Sequence, residues 1–325
     1  MMICAEKPGG PEVLDWREAD AVIPNSHEVL IRQTKIGLNF LDIYMTSGTY
    51  PFPKDELFIP GCEAAGEVLE CGNDVSSLKT GDRVAYVLPG GAYREERVVP
   101  AEKLVKLPDS ISDEVAAASM LKGMTVEYLV NRSAHLNSGD IVLFHAAAGG
   151  VGLIAGQWLQ SMGVTVIGTV GSSEKEELAR SSGYDHVINY SKDDFVDAVM
   201  EITNGKGVKV VYDSVGQATY PDSLRCLQRF GLFVSFGQSS GLINNFKVSD
   251  LAGNGSLYTQ RPTLFDYIST VADLADVSGH LFNMLSAGKV KLFINQRFPL
   301  ADAAMAFKQL TERKTTGITI FETGK

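Results

Sequence analysis

Hydrophobic and polar positions in this chain follow two periods, and the change between them divides the sequence. From about residue 123 to 262, short apolar runs alternate with stretches whose apolar residues recur at helical spacing. Ile141 to His145 has strand character. Val151, Ile154, Ala155, Trp158, Leu159 and Met162 then mark one face of a helix that Gly163 closes. Val164 to Val170 is a second strand, so Ile141 to Val170 forms a strand–helix–strand unit of the expected ~30 residues.

The pattern then repeats. Ser173-x-x-Glu176 predicts a capping box at a helix that Gly183 ends, and His186 to Asn189 follows as a short strand. A helix starts near Ser191, with Asp193 and Asp194 in its first turn, and stops at Gly205. Val208 to Tyr212 is almost continuously apolar, as in the middle of a parallel sheet. A helix over Tyr220 to Arg229 and strands at Leu232 to Phe236 and Gly255 to Thr259 complete the series. This alternation predicts a doubly wound α/β domain that binds ligands at the carboxyl ends of its strands.

The flanks have a different rhythm. Before residue 120, strand-like segments (Glu28 to Thr34, Ala64 to Cys71, Asp82 to Val87, Glu96 to Val99) lie between Pro, Gly and Asn turns. The tail holds two helical stretches, Leu274 to Ser286 and Ala301 to Glu312, and a last strand, Gly317 to Phe321. The expected division is 1–122, 123–262 and 263–325, with the tail rejoining the first segment. No internal repeat or low-complexity linker interrupts it.

Composition narrows the class. A chain of 325 residues that is 45% hydrophobic supports two cores. A net charge of −10 argues against a nucleic-acid or anionic-membrane surface. The first residues have no signal-peptide layout, which predicts a cytoplasmic protein. Cys4, Cys62, Cys71 and Cys226 are scattered and read as reduced thiols. The apolar run from Ile141 to Gly156 contains His145 and four glycines and is too short for the ~20 residues of a membrane span.

The candidate chemistry lies in the turn Ala147-x-Gly149-x-x-Gly152, a G-x-G-x-x-G pattern with alanine in the first place. Following a strand and opening a helix, it suits the pyrophosphate of a dinucleotide. Glycines admit the backbone, and the helix N-terminus offers N–H groups and partial positive charge.

In its alanine-rich form, Ala146-Ala-Ala-Gly-Gly-Val-Gly152, the turn resembles the signature of the zeta-crystallin-like quinone oxidoreductases of the medium-chain dehydrogenase/reductase superfamily. Gly9-Gly-Pro-Glu-Val-Leu14, Gly37-Leu-Asn-Phe-Leu-Asp42, Gly61-Cys-Glu-Ala-Ala-Gly66 and Gly81-Asp-Arg-Val84 extend the likeness. So do Leu121-Lys-Gly-Met-Thr125, Tyr212-Asp-Ser-Val-Gly216 and Gly255-Ser-Leu-Tyr258. The resemblance implies a Rossmann domain inserted into a GroES-like β-rich catalytic domain, and a homodimer. It also implies reduction of a quinone, or of another electrophilic small-molecule acceptor, by NADPH.

Zinc-bearing relatives place a cysteine where this chain has Asn39 and a histidine where it has Cys62, and they carry a four-cysteine lobe. Here Pro89-Gly-Gly-Ala-Tyr93 occupies that region and the five histidines are dispersed. The expectation is no metal, with Cys62 a buried thiol. Without a Lewis acid, the site suits acceptors that are already electrophilic. A quinone that takes up hydride becomes an aromatic hydroquinone and needs little general-acid help. Reduction of enone or alkenal double bonds stays open as an alternative. A structural or RNA-binding role, known in some members, is disfavoured by the acidic charge balance.

Cofactor choice is legible after the second strand of the βαβ unit. NAD-specific sites place an acidic residue about 20 positions on, against the ribose 2′-hydroxyl. This chain has Gly171-Ser172-Ser173 there and then Lys175, which favours a 2′-phosphate. In the bacterial relatives, positions matching Lys175, Tyr190 and Arg313 contact that phosphate. A solvated helix lysine is the alternative for Lys175, and Glu174, Glu176 and Glu177 weaken the local field.

The remaining assignments follow the resemblance. Asn39 and Tyr50 are the candidate catalytic positions, the first near the nicotinamide or its ribose and the second at the substrate mouth. A turn asparagine and an exposed turn tyrosine are the alternatives. Phe40, Asp42 and Tyr44 shape the same loop. Gly149, Gly150 and Val151 cradle phosphate. Thr125, Tyr128, Ser214, Phe236, Gly237, Ser239 and Leu264 match cofactor-contacting positions, although several would serve equally as core or turn residues.

Overall fold

Alternating apolar residues build the strands at the start of the chain. β1 (Met2–Cys4) pairs antiparallel with β2 (Asp15–Arg17). In β3 (Glu28–Gly37), Val29 and Ile31 are fully buried while Arg32 is exposed, the period-2 signature of a half-buried strand. A short helix, α1 (Phe40–Thr46), precedes β4 (Glu63–Cys71), β5 (Arg83–Val87), β6 (Glu96–Pro100) and β7 (Val105–Lys106). Helix α2 (Asp113–Tyr128) follows. The structure is a computed structural model that describes residues 1–53 and 57–324.

The middle of the chain alternates as its periodicity predicts. In order come β8 (Ile141–Phe144), α3 (Gly150–Ser161), β9 (Thr165–Val170), α4 (Ser173–Arg180), β10 (His186–Asn189) and α5 (Phe195–Ile202). Then follow β11 (Val208–Asp213), α6 (Asp222–Arg225), β12 (Leu227–Ser235), α7 (Val248–Gly253), β13 (Tyr258–Gln260) and α8 (Leu264–Tyr267). All six strands are parallel, in the order β10-β9-β8-β11-β12-β13. Numbered within this sheet, that is 3-2-1-4-5-6, the Rossmann order, whose switch point lies between β8 and β11.

The tail supplies α9 (Val271–Ser286), β14 (Ile294–Pro299), α10 (Ala303–Thr311) and β15 (Ile318–Glu322). β15 pairs antiparallel with β3, and the β-rich sheet runs β14-β15-β3-β4-β5-β7, with β6 also on β3. Its core gathers Ile31, Ile36, Val68, Tyr86, Val99, Phe307 and Phe321. Contacts divide the chain into two units. One comprises Met1–Met124, Ile268–Ser286 and Leu292–Lys325; the other comprises Thr125–Tyr267 and Ala287–Lys291.

Three local expectations need correction. The helix expected over Tyr220 to Arg229 is only α6, because Leu227 already pairs with Val208 in the sheet. The buried Leu224, Cys226 and Leu227 mimic a helical face, but strand pairing takes the last of them. Between Leu227 and Leu232 the strand bulges, with Phe230 at φ 59°. The strand expected from Gly255 starts only at Tyr258, since Gly255 and Ser256 have φ of 109° and 58°. The Ser173 capping box does not form. Ser172 is the N-cap of α4, and its Oγ accepts from the Lys175 N–H. Glu176 instead accepts from Asn189 Nδ2 at 2.6 Å and from Lys192 Nζ at 3.2 Å.

Candidate functional site

β8 ends at Phe144, Ala146 turns at φ 56°, and the Ala147 N–H donates to the Thr169 carbonyl at 3.0 Å. The chain then enters α3 at Gly149, an N-cap with no side-chain hydrogen bond. The first N–H groups of this twelve-residue helix therefore lack intrahelical acceptors, and no side chain caps them. At Gly152 a Cβ would lie 2.5 Å from the Ala146 carbonyl oxygen and 2.6 Å from that of Ala147. Only glycine lets the helix sit this close to the turn. Uncapped amides beside small residues fit an anionic pyrophosphate.

At the end of β9, Gly171, Ser172, Ser173 and Lys175 occupy the turn and first helical residues. Tyr190, half exposed, lays its hydroxyl over Gly171, where a Cβ would come within 2.4 Å of it. Ser191 Oγ donates to the Gly171 carbonyl at 2.8 Å, and Lys192 Nζ donates to Ser173 Oγ at 2.9 Å. Lys192 is a second cation at this turn that sequence reasoning missed, although it stands two residues after Tyr190. Glu176 pairs with Lys192, so its charge is partly spent there.

Beyond β11 and β12, the Phe236 and Gly237 N–H groups donate to the Asp213 carbonyl at 2.8 and 3.4 Å, and Ser239 N–H donates to the Ser214 carbonyl at 3.1 Å. A Cβ on Gly237 would lie 2.7 Å from the Ser214 oxygen, so these loops are in close contact. Tyr128 stacks on Tyr267, with ring centroids 4.5 Å apart. Burial pushes its phenol pKa up, against the pull of the Arg261 charge. Arg261 donates to the Ser235 carbonyl and to Gln238 Oε1, a link with no sequence signal. Thr125 and Leu264 are buried in the same unit.

In the β-rich unit, Asn39 is buried at the N-cap of α1, where its N–H donates to Asp42 Oδ2 at 2.8 Å. Its Nδ2 donates to Glu63 Oε1 at 2.8 Å, and that oxygen also accepts from Lys122 Nζ at 3.0 Å. The other Glu63 oxygen accepts from the Leu121 N–H at 2.6 Å, and Lys122 also donates to the Leu38 carbonyl at 3.1 Å. Asn39 therefore sits on a fully buried ion pair. Neither partner of that pair was singled out from sequence, because they stand 59 residues apart.

Asp42 accepts from Tyr93 Oη at 2.9 Å. Burial pushes the Asp42 carboxyl up to about 6, against the pull of the Cys62 thiol, the Asn39 N–H and the Tyr93 hydroxyl. The same burial raises the Cys62 thiol well above its ordinary value. Gly61 has φ 91°, and a Cβ there would lie 2.1 Å from the Tyr93 ring. Phe40, Tyr44 and Tyr50 form a row of half-buried rings with centroids 6.1 Å apart at each step. Arg313 follows α10 at φ 59°. Among the described residues, no group of three or more His, Cys, Asp or Glu is arranged to hold a metal ion, and no helix is long and apolar enough to cross a membrane.

The Asp42 environment predicts a pH effect on stability. Between the ordinary 3.8 and about 6, the folded chain holds a proton that the unfolded chain releases. This contribution is full below pH 3.8 and is lost as pH rises through 6, an effect of at most about 3 kcal/mol. Asp42→Asn has no such titration. Urea unfolding at a series of pH values is expected to show the variant gaining on wild type from pH 4 to 6.5 and then holding its margin. A margin independent of pH would contradict the assignment.

Comparison with known proteins places these features. The alcohol dehydrogenase GroES-like domain family matches residues 25–109, and the zinc-binding dehydrogenase family matches residues 150–274. The chain is 48% identical to a quinone oxidoreductase of Pseudomonas aeruginosa over 96% of each chain. It is 43% identical to a 2-haloacrylate reductase of a Burkholderia species over 98% of this chain and 97% of the relative. The crystal structure of Escherichia coli quinone oxidoreductase complexed with NADPH superposes with a TM-score of 0.96, at 44% identity and 99% coverage of both chains. A Rossmann sheet in strand order 3-2-1-4-5-6, a GroES-like unit closed by both chain ends, and these likenesses place the chain in the quinone oxidoreductase family.

Proposed function

We propose that this protein reduces quinones with NADPH by direct hydride transfer. The turn after β9 carries the cofactor half of the reading: it offers two serines and Lys175, with Tyr190 and Lys192 packed on it from the turn after β10, where an NAD site would present a carboxylate. When bound, NADPH supplies the hydride. The uncapped amides at Gly150 and Val151 hold the pyrophosphate, and Gly149 lets it approach. Gly171, Ser172, Ser173, Lys175 and Tyr190 surround the 2′-phosphate. Thr125, Tyr128, Ser214, Phe236, Gly237, Ser239 and Leu264 orient the nicotinamide half. In the β-rich unit, Asn39 is the proposed polar contact, held by its ion pair, with Phe40, Asp42 and Tyr44 shaping its loop. The Tyr50 ring offers a flat face for a planar acceptor.

Absorbance loss of NADPH with ortho-quinones, para-quinones, enones and 2-haloacrylate tests the acceptor. Turnover is expected with quinones; turnover confined to the alkenes would overturn the quinone reading. The 2-haloacrylate reductase among the relatives is the observation that favours this second reading.

A homodimer through β13 is part of the proposal. All three residues of β13 are exposed, and among the described residues it pairs only with β12. Phe230, 58% exposed at φ 59°, stands on the neighbouring strand. Such an open edge with exposed aromatics suits a second copy. Light scattering is expected to give twice the chain mass for wild type and the monomer mass for Tyr258→Lys. A monomeric wild type would contradict it.

A further inference from the structure

The buried imidazole of His145 has no part in the reading above, yet it sits at the switch point of the parallel sheet. It is 1% exposed, directly after β8. Its Nδ1 lies 2.9 Å from Thr169 Oγ1, at the end of β9. Its Nε2 lies 3.0 Å from Ser223 Oγ, on α6. Ser223 Oγ in turn lies 3.1 Å from Asp213 Oδ2, at the end of β11. Thr219 Oγ1 donates to that same oxygen at 2.6 Å, while Asp213 Oδ1 accepts the Val215 and Gly216 N–H groups at 2.7 and 3.0 Å.

Proton counting fixes the direction of this chain. If the Ser223 hydroxyl gave its one proton to Nε2, its oxygen would face Asp213 Oδ2 and the Thr219 carbonyl oxygen, each at 3.1 Å, with no proton between them; the carboxylate takes that proton instead. Ser223 therefore accepts from the ring, so the proton is on Nε2 and Nδ1 accepts from Thr169. A neutral ring agrees with its burial, which lowers the imidazole pKa against the pull of Asp213. The three strand ends joined in this way are the roots of three loops: the glycine turn, the Gly171–Ser173 turn and the Ser214 loop.

We propose that His145, as its neutral Nε2–H tautomer, and Ser223 are positioning residues that tie these three loops together in the geometry that binds NADPH. This rests on the cofactor reading given above. Neither residue touches the cofactor in this account; each acts through Thr169 and Asp213.

Two measurements test it. Nitrogen NMR of protein labelled at the histidine rings, with His145 assigned by its loss in His145→Gln, is expected to show an unprotonated Nδ1. NADPH dissociation constants from protein fluorescence form the second. Ser223→Ala is expected to weaken binding about tenfold. His145→Gln, whose amide nitrogen takes the place of Nε2, is expected to stay within about threefold of wild type. The double variant should match Ser223→Ala, because without the Ser223 hydroxyl the glutamine amide has lost the acceptor through which it would act. A protonated Nδ1, or wild-type affinity in Ser223→Ala, would overturn the proposal. A wild type that binds no NADPH would reject the cofactor reading and this inference with it, whatever tautomer the spectra report.

Discussion

Lys122→Met is expected to destabilise the β-rich unit by about 3–5 kcal/mol, the usual cost of leaving one member of a buried ion pair unpaired. Glu63 is fully buried, and Lys122 is its only cationic partner among the described residues. Without the ammonium, the Glu63 charge would depend on the Asn39 and Leu121 N–H groups alone. Adding Glu63→Gln removes that charge and is expected to recover part of the loss. Recovery is incomplete, because one oxygen that now accepts an N–H becomes an amide nitrogen. Urea unfolding of the two single variants and the double variant reads this order. A single-variant cost below about 1 kcal/mol would mean that the pair does not hold the Asn39 corner together.

Lys175→Ala is expected to weaken NADPH binding about 10- to 100-fold while NADH binding changes by less than about twofold. A charge-assisted hydrogen bond to phosphate contributes roughly 1.5–3 kcal/mol, and the dinucleotides differ only in that phosphate. Tyr190 packs on Gly171, and Lys192 lies beside Ser173, so the turn keeps its shape and one cation after the substitution. The loss should therefore be large but incomplete. Equal weakening of both dinucleotides would make Lys175 a support of helix α4, not a phosphate ligand.

What the sequence disclosed is what local physics sets. The glycine turn was legible because Gly152 abuts two carbonyls and the helix behind it starts uncapped, constraints that lie within seven residues. β8, β9, β11 and the second half of β12 were legible because each holds a short apolar run between turn residues, whereas the exposed Tyr-Thr-Gln of β13 has no such run and its start was placed three residues early. The missing carboxylate after β9 needed only a count from Gly152. Long-range partnerships were not legible. Glu63 and Lys122 meet across 59 residues, and His145 and Ser223 across 78. No spacing rule links such pairs. Local competition hid the rest: Ser172 and Ser173 both resemble caps, and Leu224 to Leu227 fits a helix until Leu227 pairs with Val208.

The most direct test of the whole account compares NADPH and NADH as hydride donors to one para-quinone and one ortho-quinone, in the same buffer. Quinone-dependent oxidation of NADPH is expected, with kcat/KM at least about tenfold above that for NADH, the difference arising in KM. Equal efficiency with the two dinucleotides, or no quinone-dependent oxidation of either, would contradict it.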